Sequence, residues 1–327
     1  MNTRIVLRWT GMMIGLLSGL LVWQSASWGA GKLTVTAQRV NEAPTGLDDP
    51  VWHSVQAVDV PFEGKERFAD QTVSVITKAV YTQNQVYFRF SWPDATKSMV
   101  KGAWRFDGQQ WQHLPGNEDR FALLFEVYRI NQFATKGCAA TCHGKAGTPT
   151  SEWAFATKTA SEKGDLWHWK AARSAPYHYA DDGWLTVANP KTGRKKDAGQ
   201  GGDMKNETAD KSKPRYMQSP TLSPAMADAL LKEEAAEIPD TAQFKAGDVI
   251  PFRLPVRPSD SRADVKALSR YAGGHWTLML SRQLGTGHED DVQFNPRKKY
   301  SFAMAVFDDS GDEHSYDSEV MTLRFGR

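Results

Sequence analysis

Between residues 86 and 92 the apolar side chains recur at every second position, and that period commits this stretch to β-strand. Val86, Phe88, Phe90 and Trp92 share one face of an extended segment, because successive strand side chains point to opposite sides. Residues 72–81, rich in β-branched and aromatic types, precede it. Thr82-Gln83-Asn84-Gln85 between them is a polar turn, so the two runs read as a hairpin that Pro93 ends. Residues 121–127 form a more continuous apolar run, the mark of a buried central strand. A second hairpin joins 265–271 to 275–282 through Ala272-Gly273-Gly274, with Trp276, Leu278 and Leu280 on one face. Its glycine pair supplies the positive φ of a tight turn. Residues 302–307 and 320–325 are further strands. Many strands and few helices predict an all-β chain, a β-sandwich.

Twelve tryptophans and 11% aromatic residues suit flat side chains packed on pleated surfaces, and could also line a cofactor or sugar site. The formal charge is 40 − 38 = +2, and two of the positive residues are Arg4 and Arg8. The chain beyond them is near neutral, with no basic block, so a nucleic-acid partner is not expected. From 188 to 213 the composition turns polar and glycine-rich. Ser223 then suits an N-cap, Pro224 a first helical position, and 225–238 is rich in helix formers. We read 188–245 as a loop and helix insertion in a single domain, 31–327, since it is too short and polar for a core of its own.

The N-terminus has the pattern of a secretory signal: Arg4 and Arg8, an apolar run of 13 residues from Gly11 to Trp23, then Ser25, Ala26, Ser27, Gly29 and Ala30. The run falls short of the ~20 residues of a membrane span. Residues 1–30 are therefore expected to be a signal peptide, cleaved near Gly29, with an uncleaved anchor as the alternative. Export places the protein in the periplasm.

Cys138-Ala139-Ala140-Thr141-Cys142-His143 contains the only two cysteines of the chain. Two thiols followed directly by an imidazole form the pattern of covalent haem attachment, here as C-x-x-x-C-H in place of C-x-x-C-H. Cys138 and Cys142 would bond the porphyrin vinyl groups, and His143 would be an axial iron ligand. Two other readings stand beside it. One is a short-loop disulfide, which exported proteins permit. The other is a metal site, although zinc wants four ligands and the motif offers at most three. A disulfide has no need of a histidine in that position.

Several segments resemble, in order along 45–327, the haem-binding γ subunit of ethylbenzene dehydrogenase and its relatives. They are 48–52 (Asp-Asp-Pro-Val-Trp), 80–90, 117–122, 165–173 and 214–217. The resemblance implies a sandwich similar to family-9 carbohydrate-binding modules. It also implies electron transfer in the periplasm to or from a molybdenum enzyme of the dimethyl-sulfoxide-reductase class. The dehydrogenase subunit holds a b-type haem between methionine and lysine, whereas this chain carries Cys138, Cys142 and His143. The resemblance therefore points to a member with one covalent haem c, and the family's ligand set does not carry over whole.

A second axial ligand is expected for electron transfer. Met217, in a loop flanked by Pro214 and Tyr216, is the first candidate and His168, between two tryptophans, the alternative. Met204 and Lys266 are further possibilities, and sequence alone leaves the choice open. No G-x-G-x-x-G, P-loop or H-E-x-x-H motif is present. Asp308, Asp309, Asp312 and Glu313 lack EF-hand spacing and read as a charged turn. The expectation is thus a c-type cytochrome with catalysis in a partner. The competing functions are a carbohydrate-type binding module without haem and a haem enzyme or sensor with an open axial site.

Overall fold

Strand Gln85–Pro93 lies between Thr72–Tyr81 and His275–Gln283, paired antiparallel to both. This is where the alternating pattern of 86–92 has to be satisfied. A computed structural model describes residues 33–65, 68–143, 154–188, 192–219, 229–311 and 315–326. The proposed signal, the Ser223-Pro224 helix start and Asp312 to His314 lie outside the described residues.

The main sheet runs Arg194–Lys196, Asp181–Leu185, Lys163–Lys170, Arg120–Tyr128, Lys299–Phe307, Tyr316–Ser318, Val58–Gly64, Thr72–Tyr81, Gln85–Pro93, His275–Gln283, Lys266–Ala272. Strand Lys299–Phe307 pairs with both Tyr316–Ser318 and Met321–Phe325, and Thr34–Arg39 joins Met321–Phe325 to Thr72–Tyr81. The sheet thereby folds onto itself as two facing layers. The aromatic contacts show this directly. Phe90 meets Phe121 with ring centroids 4.5 Å apart, and Phe88 meets Phe125 at 6.1 Å and Trp167 at 6.0 Å. The protein is a β-sandwich, as the strand periodicity predicts. Each fully buried phenylalanine contributes roughly 1.5–3 kcal/mol of hydrophobic stabilisation.

The predicted hairpins have the expected form. Gly273 and Gly274 adopt φ of 58° and 74°, the left-handed values a two-residue turn requires. The helix expected over 225–238 is not what its described part, 229–238, shows. Lys232–Glu234 is a single 3-10 turn, and Ala235–Glu237 is a strand paired with Tyr216–Gln218. Ile238 packs beside Trp104 and Phe252, and a short pairing that buries it outweighs alanine's modest helix preference.

Most tryptophans are structural. Trp52, Trp92, Trp104, Trp167, Trp169 and Trp276 are buried, and Trp111 and Trp184 are half-buried. No fully exposed tryptophan ring exists among the described residues to serve as a platform for a sugar face.

Candidate functional site

Segment 130–143 packs on the outer face of the sandwich. Phe133–Lys136 forms one helical turn and Gly137–Ala140 a 3-10 turn. Gln132 and Gly137, at φ 65° and 55°, turn the chain at either side of the first. The segment then ends in a two-residue strand, Cys142–His143, paired with Ala154–Phe155. Buried Thr141 secures the loop between the cysteines: its hydroxyl donates to the Cys138 carbonyl at 2.7 Å, and its amide to the same oxygen at 2.8 Å.

This geometry brings the thiols together. Cys138 and Cys142 carry separate thiols that share a hydrogen bond. That bond, burial and the neighbouring charges push the Cys138 thiol well above its usual range, so it stays protonated at neutral pH. A catalytic cysteine needs the opposite shift, and this pair is poorly suited to nucleophilic catalysis. The backbone of His143 follows immediately in the strand.

The floor beneath the segment is apolar. Cys138 packs against Ala122, Leu124, Leu166 and Ala303 of the sheet together with Ile130 and Phe133 of its own segment, with Phe307 at the margin. Ala122 and Leu124 stand opposite His168 and Leu166 in the strand register, so His168 belongs to this same face. Trp167 and Trp169 point the other way, into the core between the layers. His168 is 3% exposed and its ring stacks on Phe307, centroids 5.3 Å apart. Arg194 donates to its Nδ1. Its Nε2 is buried with no hydrogen-bond partner. Burial first, then the charges of Arg194, Lys170, Arg120 and Arg173, hold its pKa well below 6.5, so the imidazole is neutral at pH 7.

Cations crowd the margin of the floor. Glu118 takes Arg173, with Arg120 at 3.5 Å. Asp181 takes Lys170, and Arg262 at 2.6 Å. Burial lowers Lys170 to about 8 despite that partner. For Asp181, burial works upward, but Lys170 and Arg262 outweigh it and hold the carboxyl well below its usual range.

Met217 lies elsewhere. It pairs with Ala236 and packs half-buried with Trp104, Ile250 and Phe252, a cluster separate from the one that receives Cys138. Met204 pairs with Leu254. Lys266 is exposed and donates to the Ala263 carbonyl at 2.7 Å. The structure thus gathers Cys138, Cys142, the His143 backbone and His168 around one face and leaves Met217 outside that group. The cationic margin was missed in the sequence because Arg120, Lys170 and Arg194 come from three different strands.

Two adjoining thiols, a histidine next in the chain, an apolar floor, an orphaned buried Nε2 and surrounding cations are residue types that could hold an amphipathic, anionic haem. Comparison with family models gives a match to "Ethylbenzene dehydrogenase" over residues 49–319. The chain belongs to the ethylbenzene dehydrogenase family. The matched range takes in the entire Cys-His segment and the floor beneath it. Comparison with curated protein sequences gave no match. Among solved structures, this family member is similar to a family 9 carbohydrate-binding module from Caldicellulosiruptor kristjanssonii. The module's complex with glucose has TM-score 0.36 and 7% identity, covering 90% of this chain and 96% of the other. Its complex with cellotriose has TM-score 0.36 and 6% identity, covering 90% and 94%. No helix among the described residues is long and apolar enough to cross a membrane.

Proposed function

We propose that this ethylbenzene dehydrogenase family member is a periplasmic c-type cytochrome that carries electrons for a partner oxidoreductase. The observation that carries this reading is the thiol pair Cys138 and Cys142, held in contact over an apolar sheet face and followed by His143. A bound haem supplies an iron that alternates between ferric and ferrous states. Cys138 and Cys142 would hold it through thioether bonds and His143 would ligate the iron. Ala122, Leu124, Leu166 and Phe307 exclude water from that face. Lys170, Arg120, Arg173 and Arg194 favour negative charge at its edge.

Of the distal candidates, His168 is favoured over Met217, because its unpartnered Nε2 lies on the face that receives the cysteine segment. Arg194 now occupies Nδ1, which puts the ring proton on Nε2. For Nε2 to offer its lone pair, Nδ1 must take that proton and Arg194 must release it. Arg194 would then be available to an anionic group at the edge of the site.

The test is protein matured with the haem-attachment machinery. Haem should survive acid–acetone extraction and denaturing electrophoresis, and should become extractable in the Cys138→Ser/Cys142→Ser double variant. Haem that washes out of the wild-type protein would refute covalent attachment. His168→Ala should turn the iron high-spin while Met217→Ala leaves it low-spin; the reverse result returns the distal position to Met217.

A further inference from the structure

Away from the cysteine segment, loop 284–298 and the end of strand Arg194–Lys196 bring a second group of chemically active side chains together. Asp165, Asp182, Asp197 and Asp291 are 5% exposed or less, and Asp290 is half-buried beside them. One arginine serves part of the group. Arg282 Nη1 donates to Asp165 at 2.7 Å and stands 3.3 Å from Asp291 and 3.7 Å from Asp182. His288 Nδ1 lies 3.2 Å from Asp264 and 3.6 Å from Asp291. With Asp264, six carboxylates therefore gather around Arg282 and His288.

Arg282 does not satisfy Asp197. Both of its carboxylate oxygens are buried without a hydrogen-bond partner, as are Asp182 Oδ2 and Asp291 Oδ2. A carboxylate taken out of water with no donor is costly. One oxygen of Asp197 nevertheless lies within 4.8 Å of one oxygen each of Asp290 and Asp291, which are as close to one another. Two oxygens on opposite sides of a calcium ion, each about 2.4 Å from it, stand about 4.8 Å apart.

We infer that Asp197, Asp290 and Asp291 form a calcium site. Its ligand atoms are all hard oxygens. They come from two separate loops, an arrangement that suits the adaptable six- to eight-fold shell of calcium better than the rigid, water-retaining octahedron of magnesium. The ion would neutralise the carboxylates that Arg282 leaves uncompensated, and would clamp loop 284–298 to the strand that carries Arg194.

The test uses the full protein, stripped with EDTA and desalted, then titrated with calcium chloride by calorimetry and followed in parallel by thermal unfolding. We expect one ion per chain and a rise in Tm. Asp197→Asn and Asp290→Asn should each weaken binding by roughly tenfold or more, and magnesium should bind more weakly than calcium. Asp290 is only half-buried, so its variant decides the matter if Asp197→Asn fails to fold. The absence of both binding heat and a Tm shift at about 10 mM calcium would overturn the site. Calcium binding left unchanged in a folded Asp290→Asn variant would also overturn it, as would tighter binding of magnesium. A fourth contrary result is an Asp197→Asn protein that is more stable than wild type and indifferent to calcium, since Asp197 would then be a neutral buried acid.

Discussion

Replacing Gly137 with alanine tests how the cysteine segment is seated. Gly137 has φ 55° and ψ −136°, a backbone conformation that side chains avoid, and forcing alanine into it costs about 1–3 kcal/mol. A Cβ built there meets Val320 Cβ and N at 3.3 Å and Ala303 Cβ at 3.4 Å. Both neighbours are buried and cannot move freely, so crowding adds about 1 kcal/mol, the low end of overpacking. The expected loss is about 2–4 kcal/mol, read as a lower midpoint in urea unfolding. Gly273→Ala is the control. It shares a positive φ of 58°, but nothing lies within 4 Å of its Cβ, so it should lose only about 1 kcal/mol. Gly137→Ala should also lower the amount of covalently attached haem per chain, because Cys138 is the next residue, whereas Gly273→Ala should not. If the two variants are equally destabilised and both load normally, segment 130–143 is not held against Ala303 and Val320 as described.

Three further outcomes are expected. Burial, reinforced by the Asp119 charge, raises Asp94 to about 7. Its protonation therefore stabilises the fold fully below pH 3.8, and that contribution is lost as pH rises through 7; Asp94→Asn should stabilise the protein by about 1–3 kcal/mol at pH 8 and by little at pH 4, measured by denaturation across pH. Arg282→Leu leaves Asp165, Asp182 and Asp291 buried without their cation and should cost about 3–5 kcal/mol by the same measurement. Met217→Ala, from a half-buried place beside Trp104 and Phe252, should cost about 1–2 kcal/mol without changing the visible absorption spectrum.

The strands were legible because their pattern is local. Alternation over 86–92 follows from the pleat of one extended segment, whatever lies across from it, and the Gly273-Gly274 turn is equally self-contained. The pairing of Cys138 with Cys142 was legible for the same reason: four residues of chain cannot carry the thiols far apart. The expected helix at 225–238 failed where propensity, a weak local preference, met the pairing of Tyr216–Gln218 with Ala235–Glu237. What the sequence could not supply is adjacency between strands distant along the chain. His168 faces the cysteine segment because register sets it opposite Ala122, and Met217 does not because its strand packs on Trp104 and Phe252. The carboxylates around Arg282 are dispersed from Asp165 to Asp291 and become one group only when loop 284–298 folds against the sheet edge. Local periodicity thus determined which segments are strands. Long-range pairing and burial, which no short window of residues contains, decided which side chains share a site.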